Sequence, residues 1–170
     1  MTVIRILSLL CLLAASGCAP AEKWGDIQAS DPAPSFQLKD LSGKTVRSED
    51  LRGKVLLMDF WATYCDTCRA SLPALQELHT AFAEKDLVVL GVSIDTYTGH
   101  LKQFAQETGM GYTVLQDSKL ATSRAYGVRK VPETFLVGKD GVVRKKWISF
   151  GPQHAAQMRA EIETALREKS

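Results

Sequence analysis

The sequence predicts one α/β domain: a central mixed sheet with helices on both faces, an N-terminal β-hairpin and a βα insertion. Two observations carry this. Val55–Phe60 and Leu87–Ile94 are near-continuous apolar runs, the pattern of strands covered on both faces. Between them Leu72, Leu75, Leu78 and Phe82 form the stripe of an amphipathic helix. Strand, helix and strand within about 40 residues make a parallel, right-handed βαβ unit. A chain of 170 residues is long enough to build one core, and neither an internal repeat nor a second domain is visible in it.

The chain begins with a targeting segment, residues 1–17. Arg5 supplies a positive start, and Ile6–Ala15 is an apolar run too short to span a membrane comfortably. The run ends in Ala15-Ser16-Gly17-Cys18. Small residues before a cysteine resemble a bacterial lipobox, which implies that Cys18 is lipidated and becomes the first mature residue. A plain secretory signal cut near Ala19 is the alternative. Either way the domain is expected to be extracytoplasmic, in a compartment where disulfides persist. Residues 18–34 are small, polar and proline-containing and read as a flexible tether, Trp24 included. The domain itself is expected over 35–170.

Phe36–Lys39 and Lys44–Arg47 alternate around Asp40–Gly43, which reads as a hairpin with one buried face. The first βαβ strand and its helix follow, with Pro73 inside the helix and expected to kink it. After Leu87–Ile94, the residues Leu101, Phe104, Ala105 and Thr108 mark another helix, stopped at Gly109. Tyr112–Leu115 is a short strand. A short helix capped by Asp117 or Ser118 runs to Tyr126 and ends at Gly127. Thr134–Gly138 is a strand, and Lys139-Asp140-Gly141 turns it into an edge strand, Val142–Ser149, whose Arg144, Lys145 and Lys146 suit exposure. A final helix carries Ala155, Met158, Ile162, Ala165 and Leu166 on one stripe.

Apolar content is ordinary and the formal charge is +2, with no basic stripe to suggest nucleic acid. The four cysteines are more telling: Cys11 lies in the leader, Cys18 follows it, and Cys65 and Cys68 form one C-x-x-C pair. The order strand, short turn, dithiol, helix puts Cys65 at a helix N-terminus, where free N–H groups and the helix dipole favour an anion. The thiolate is the reactive form of cysteine. Cys65 therefore reads as the attacking thiol and Cys68 as the resolving thiol of a disulfide exchanger. As a staple the pair would close too small a loop to stabilise much. With one C-x-x-C pair and His79, His100 and His154 distant in sequence, a metal site is not expected.

These residues carry a resemblance. Phe60-Trp61-Ala62-Thr63, the dithiol with Arg69-Ala70 and Pro73, Tyr126-Gly127-Val128, and Val131-Pro132-Glu133-Thr134-Phe135 together resemble the thioredoxin superfamily. The closer likeness is to its membrane-tethered TlpA/ResA-like branch, which includes reductants of cytochrome c maturation. The likeness runs from about Ser35 to the C-terminus. It implies a thioredoxin-like fold, a redox-active disulfide Cys65–Cys68 and no prosthetic group. It implies that Pro132 is cis and faces the dithiol, with Val131 presenting its backbone to a substrate. Asp59 resembles the buried acid of thioredoxins, which would take the proton of Cys68 as that thiol attacks. Trp61 and Tyr64 are expected to wall the site and Glu133 to add acidity to its rim. Tyr64 replaces the usual Trp, and Ser71 stands where many relatives carry Glu. Asp66-Thr67 between the cysteines should give a moderately reducing couple.

The expected partners are client proteins with disulfides or thiols, a membrane electron donor and, through Cys18, the membrane; the protein is expected to be a monomer. Three rivals stand beside this reading. One is the same chemistry run as an oxidant. A second is a thiol peroxidase, whose P-x-x-x-T-x-x-C pattern fails here because Met58 and Ala62 occupy the Pro and Thr positions. The third is a copper-binding module that uses both cysteines and a histidine.

Overall fold

The structure is a computed structural model and describes residues 24–168. The leader, Cys11, Cys18 and the first part of the expected tether lie outside the described residues. The strands are β1 (Gln37–Asp40), β2 (Thr45–Arg47), β3 (Val55–Trp61), β4 (Leu87–Ser93), β5 (Thr113–Gln116), β6 (Glu133–Val137) and β7 (Val143–Ile148). The helices are α1 (Asp66–Ala81), α2 (Thr98–Glu107), α3 (Ala121–Ala125) and α4 (His154–Arg167). These described strands form one sheet in the order β2-β1-β5-β4-β3-β6-β7. The neighbours β3, β4 and β5 run parallel, and all other pairings are antiparallel. The predicted thioredoxin-like mixed sheet is what forms.

Every residue of β3 is buried, as a central strand requires. Alternation divides its side chains between two cores. Val55 and Leu57 pack with Leu75 and Leu78 of α1 and Met158 and Ile162 of α4. Leu56, Met58 and Phe60 face the other way, toward Phe36, Tyr126 and Phe135. Burying a large apolar side chain contributes roughly 1.5–3 kcal/mol, so each core holds the sheet firmly from its side. The α1 helix continues across Pro73; this proline is exposed, and its missing N–H leaves the Arg69 carbonyl without its usual intrahelical donor. Gly127 ends the α3 segment at φ +71°, where a Cβ would collide with the Gly25 carbonyl.

One expectation is corrected. Residues 24–34 are not a free tether but a strap laid along the domain. Gly25 N–H donates to the Arg124 carbonyl at 2.8 Å, Ser30 N–H to Val143 at 2.8 Å and Ala33 N–H to Gly141 at 2.9 Å. Pro32 bridges Val142, and Ile27 and Ala33 pack on the second core. The Arg129 guanidinium lies 5.9 Å from the Trp24 ring centre, so Trp24 also has a contact. Small polar composition looked like a linker, yet the strap is held largely by main-chain groups, which composition does not register.

Candidate active site

The end of β3 delivers the dithiol. Cys65 is the N-cap of α1 and is half-buried, whereas Cys68, one turn inside, is fully buried. The two sulfurs are bonded to each other. The Cys68 N–H donates to Cys65 Sγ at 3.1 Å, so the helix terminus directs a donor at this sulfur, as the sequence suggested. The Val131–Pro132 bond is cis, and the Val131 carbonyl oxygen lies 3.7 Å from Cys65 Sγ. The chain thus brings residues 65 and 131 together from distant segments. Tyr64, 72% exposed, stands beside Cys65 at the surface.

Two residues before the end of β3, Asp59 is completely buried on the α1 face of the sheet. Thr134 lies opposite it across the β3–β6 pairing, and the Thr134 hydroxyl donates to Asp59 Oδ1 at 2.7 Å. Oδ2 has no hydrogen-bond partner among the described residues. Two effects compete at this carboxyl. Burial disfavours the charge, and the Thr134 hydroxyl favours it; burial wins, and the pKa is pushed up to about 7. A carboxyl so placed gives and takes a proton near neutrality. Thr134→Val removes the opposing hydrogen bond, so the Asp59 pKa should rise further above this value. Carbon-detected NMR titration of the Asp59 carboxyl checks this, and an unmoved midpoint would show that the hydroxyl does not act on it.

Two predicted site residues are buried, not exposed to a client. Trp61 lines the site from beneath and not at the surface: it is 1% exposed, shares one apolar cluster with Cys68 and Leu101, against which Cys65 and Val131 pack, and its ring centre lies 5.4 Å from that of Phe104 on α2. Glu133 is not on the rim. It is buried on the face opposite Asp59, where Lys146 Nζ lies 3.3 Å from its Oε2. Both corrections come from strand parity and cover: an alternating strand end does not reveal which neighbour will lie over it.

Some neighbours escaped the sequence reading. Thr134 is a strand and motif residue with no expected role at Asp59, yet its place opposite Asp59 follows from pairing register. Ser71 is buried and donates its hydroxyl to the Cys68 carbonyl at 2.7 Å, so it braces the first turn of α1. Tyr112 is buried, and desolvation together with the Asp59 charge raises its pKa. Its ring and Trp61 Nε1 both press on Gly91, the partner of Asp59 in β4; a Cβ there would sit 3.1 Å and 3.0 Å from them. Among the described residues no group of three or more His, Cys, Asp and Glu side chains converges on a metal-sized site. His154 uses Nδ1 to accept the Gly151 N–H at 3.0 Å at the start of α4.

The chain is similar to known proteins over most of its length. The AhpC/TSA family profile matches residues 29–146. Thiol-disulfide oxidoreductase ResA of Geobacillus thermodenitrificans is 33% identical over 148 residues, which cover 84% of each chain. ResA of Bacillus cereus is 30% identical over 168 residues, 95% of this chain and 94% of that one. A Chlorobium tepidum crystal structure, described as a thiol:disulfide interchange protein DsbE, superposes with a TM-score of 0.79 at 32% identity, covering 83% of this chain and 99% of the other. The chain therefore belongs to the AhpC/TSA family and, within it, to the thioredoxin-fold thiol-disulfide oxidoreductases of the ResA kind.

Proposed function

We propose that this protein reduces disulfides of extracytoplasmic client proteins, with Cys65 as nucleophile and Cys68 as resolving thiol. One observation carries the reading: the outer sulfur meets the Cys68 N–H and the Val131 carbonyl at the surface, while its partner sulfur is sealed behind it. The Cys65 thiolate attacks one client sulfur, forms a mixed disulfide and expels the other client sulfur as a thiolate. Cys68 then loses its proton to Asp59 and attacks Cys65 Sγ, releasing the second client thiolate. Two electrons pass to the client, and the protein is left with the Cys65–Cys68 disulfide. No prosthetic group is required, because the dithiol holds both electrons. The backbone at Val131 and Pro132, with Tyr64 beside it, holds the client strand during the exchange.

The leader over 1–17 and lipidation at Cys18 would tether the domain outside the cytoplasm. No helix among the described residues is long and apolar enough to cross a membrane. A membrane electron donor of the thiol-relay type restores the dithiol, and the domain works as a monomer. The negative charge of Asp66 beside Cys65, which disfavours the thiolate, supports the reducing direction. The test is trapping. The Cys68→Ala protein should accumulate mixed disulfides through Cys65, identifiable by mass spectrometry, and the Cys65→Ala protein should accumulate none. Equal adducts from both variants would overturn the assignment.

A further inference from the structure

The turn that carries Cys65 is gripped from two sides. The Cys65 N–H donates to the Ala62 carbonyl at 3.2 Å, which leaves Thr63 and Tyr64 as the central residues of the turn. Asp95, just beyond the end of β4, reaches back to Thr63. Its Oδ2 accepts the Thr63 N–H at 3.0 Å, and its Oδ1 accepts the Thr63 hydroxyl at 2.7 Å. The carboxylate is itself held, because the Ser93 hydroxyl donates to Oδ2 at 2.7 Å. The Asp95 main chain is fixed too: its N–H donates to Ser93 Oγ at 3.0 Å, and its carbonyl accepts Gln116 Nε2 at 3.1 Å.

On the other side Arg69, from the second turn of α1, donates Nε and Nη2 to the Thr63 carbonyl at 3.2 and 2.8 Å. Its guanidinium lies 5.2 Å from the Phe104 ring centre on α2. Thr63 therefore has an anion on its N–H and a cation on its C=O, the orientation that charge-assisted hydrogen bonds favour. β4, α1 and α2 all converge on a residue two positions before the nucleophile, and none of these contacts includes a sulfur atom.

We propose that Asp95 is a positioning residue for the exchange reaction: by clamping Thr63 against Arg69 it holds the turn so that the Cys65 sulfur stays on the Cys68 N–H. The proposal rests on Cys65 being the attacking thiol. It differs in sign from the simplest alternative. A carboxylate acting only through its charge would disfavour the nearby thiolate, so removing it would make Cys65 more reactive. A carboxylate acting through position stabilises the thiolate by keeping the helix N–H on it, so removing it makes Cys65 less reactive.

The measurement is the rate of iodoacetamide alkylation of Cys65 at neutral pH in the Cys68→Ala background, with the glutathione equilibrium of the intact dithiol as a second readout. Asp95→Asn should slow alkylation by about tenfold, the scale of one lost hydrogen bond, and move the equilibrium toward the disulfide. Thr63→Val, which loses only the hydroxyl, should act in the same direction with a smaller effect, and Thr63→Ser should restore the rate. Faster alkylation in Asp95→Asn, or an unchanged rate accompanied only by a lower melting temperature, would overturn the proposal. Should Asp95→Asn fail to fold, the Thr63→Val and Thr63→Ser pair decides on the same criteria. A Cys65 that is inert without these changes would sink the exchange reading itself, a result distinct from either outcome.

Discussion

Asp59→Asn is expected to make the protein more stable than the wild type at alkaline pH while crippling resolution of the mixed disulfide. The stability effect follows from linkage. In the unfolded chain an aspartate titrates near pH 4, whereas buried Asp59 titrates at about 7. Between these values the folded wild type keeps a proton that the unfolded chain has released, so its stability falls as pH rises. The loss begins near pH 4, is complete just above about 7 and totals on the order of 4 kcal/mol. Asparagine has no proton to lose, and its carbonyl oxygen still accepts the Thr134 hydroxyl. The difference between variant and wild type in urea denaturation should therefore grow across that window and level off above it. A difference independent of pH would mean that Asp59 does not titrate as described.

In the proposed function, the same variant loses the base for Cys68. General-base assistance is commonly worth a hundredfold or more, so release of the second client thiol should slow by about a hundredfold at neutral pH, with the first attack little changed. In the wild type, resolution should speed up as pH rises through about 7, because the ionised carboxyl is the form that accepts the proton.

Cys65→Ser should lower insulin reduction by at least about a thousandfold, since a serine hydroxyl cannot replace a thiolate in disulfide exchange and the inner sulfur cannot substitute for it. Cys68 is fully buried, so a client disulfide has no approach to it. Cys68→Ser should instead preserve the first attack and stop the cycle at the mixed disulfide. The two variants thus separate in a single-turnover experiment: the first shows no burst of released client thiol, the second a burst of one thiol per protein. Equal loss of the burst in both would place the nucleophile elsewhere.

Much of this was legible in the sequence because it is written locally. The apolar run of β3, the dithiol at the start of an amphipathic stripe and the Val-Pro-Glu-Thr-Phe segment each carry their own signal, and strand, helix and cis bond appear where those signals lie. What escaped depends on tertiary neighbours. Trp61 and Glu133 sit in segments assigned correctly, but the cover supplied by α2 and by Lys146 decides that Trp61 lies beneath the dithiol and that Glu133 is buried. The strap over residues 24–34 is fixed by main-chain hydrogen bonds to β7 and its turn, donated by Ser30 and Ala33 and accepted by Asp31, which side-chain composition does not reveal. Asp95 lies 32 residues from Thr63, and only the parallel pairing of β3 with β4 brings their strand ends together.

The central claim is that two chemically identical thiols, one turn apart, are made unequal by the fold. Limited alkylation of the reduced protein with one equivalent of iodoacetamide, mapped by peptide mass spectrometry, tests this most directly. The account predicts label on Cys65 with Cys68 nearly unmodified; comparable labelling of the two, or preferential labelling of Cys68, would contradict it.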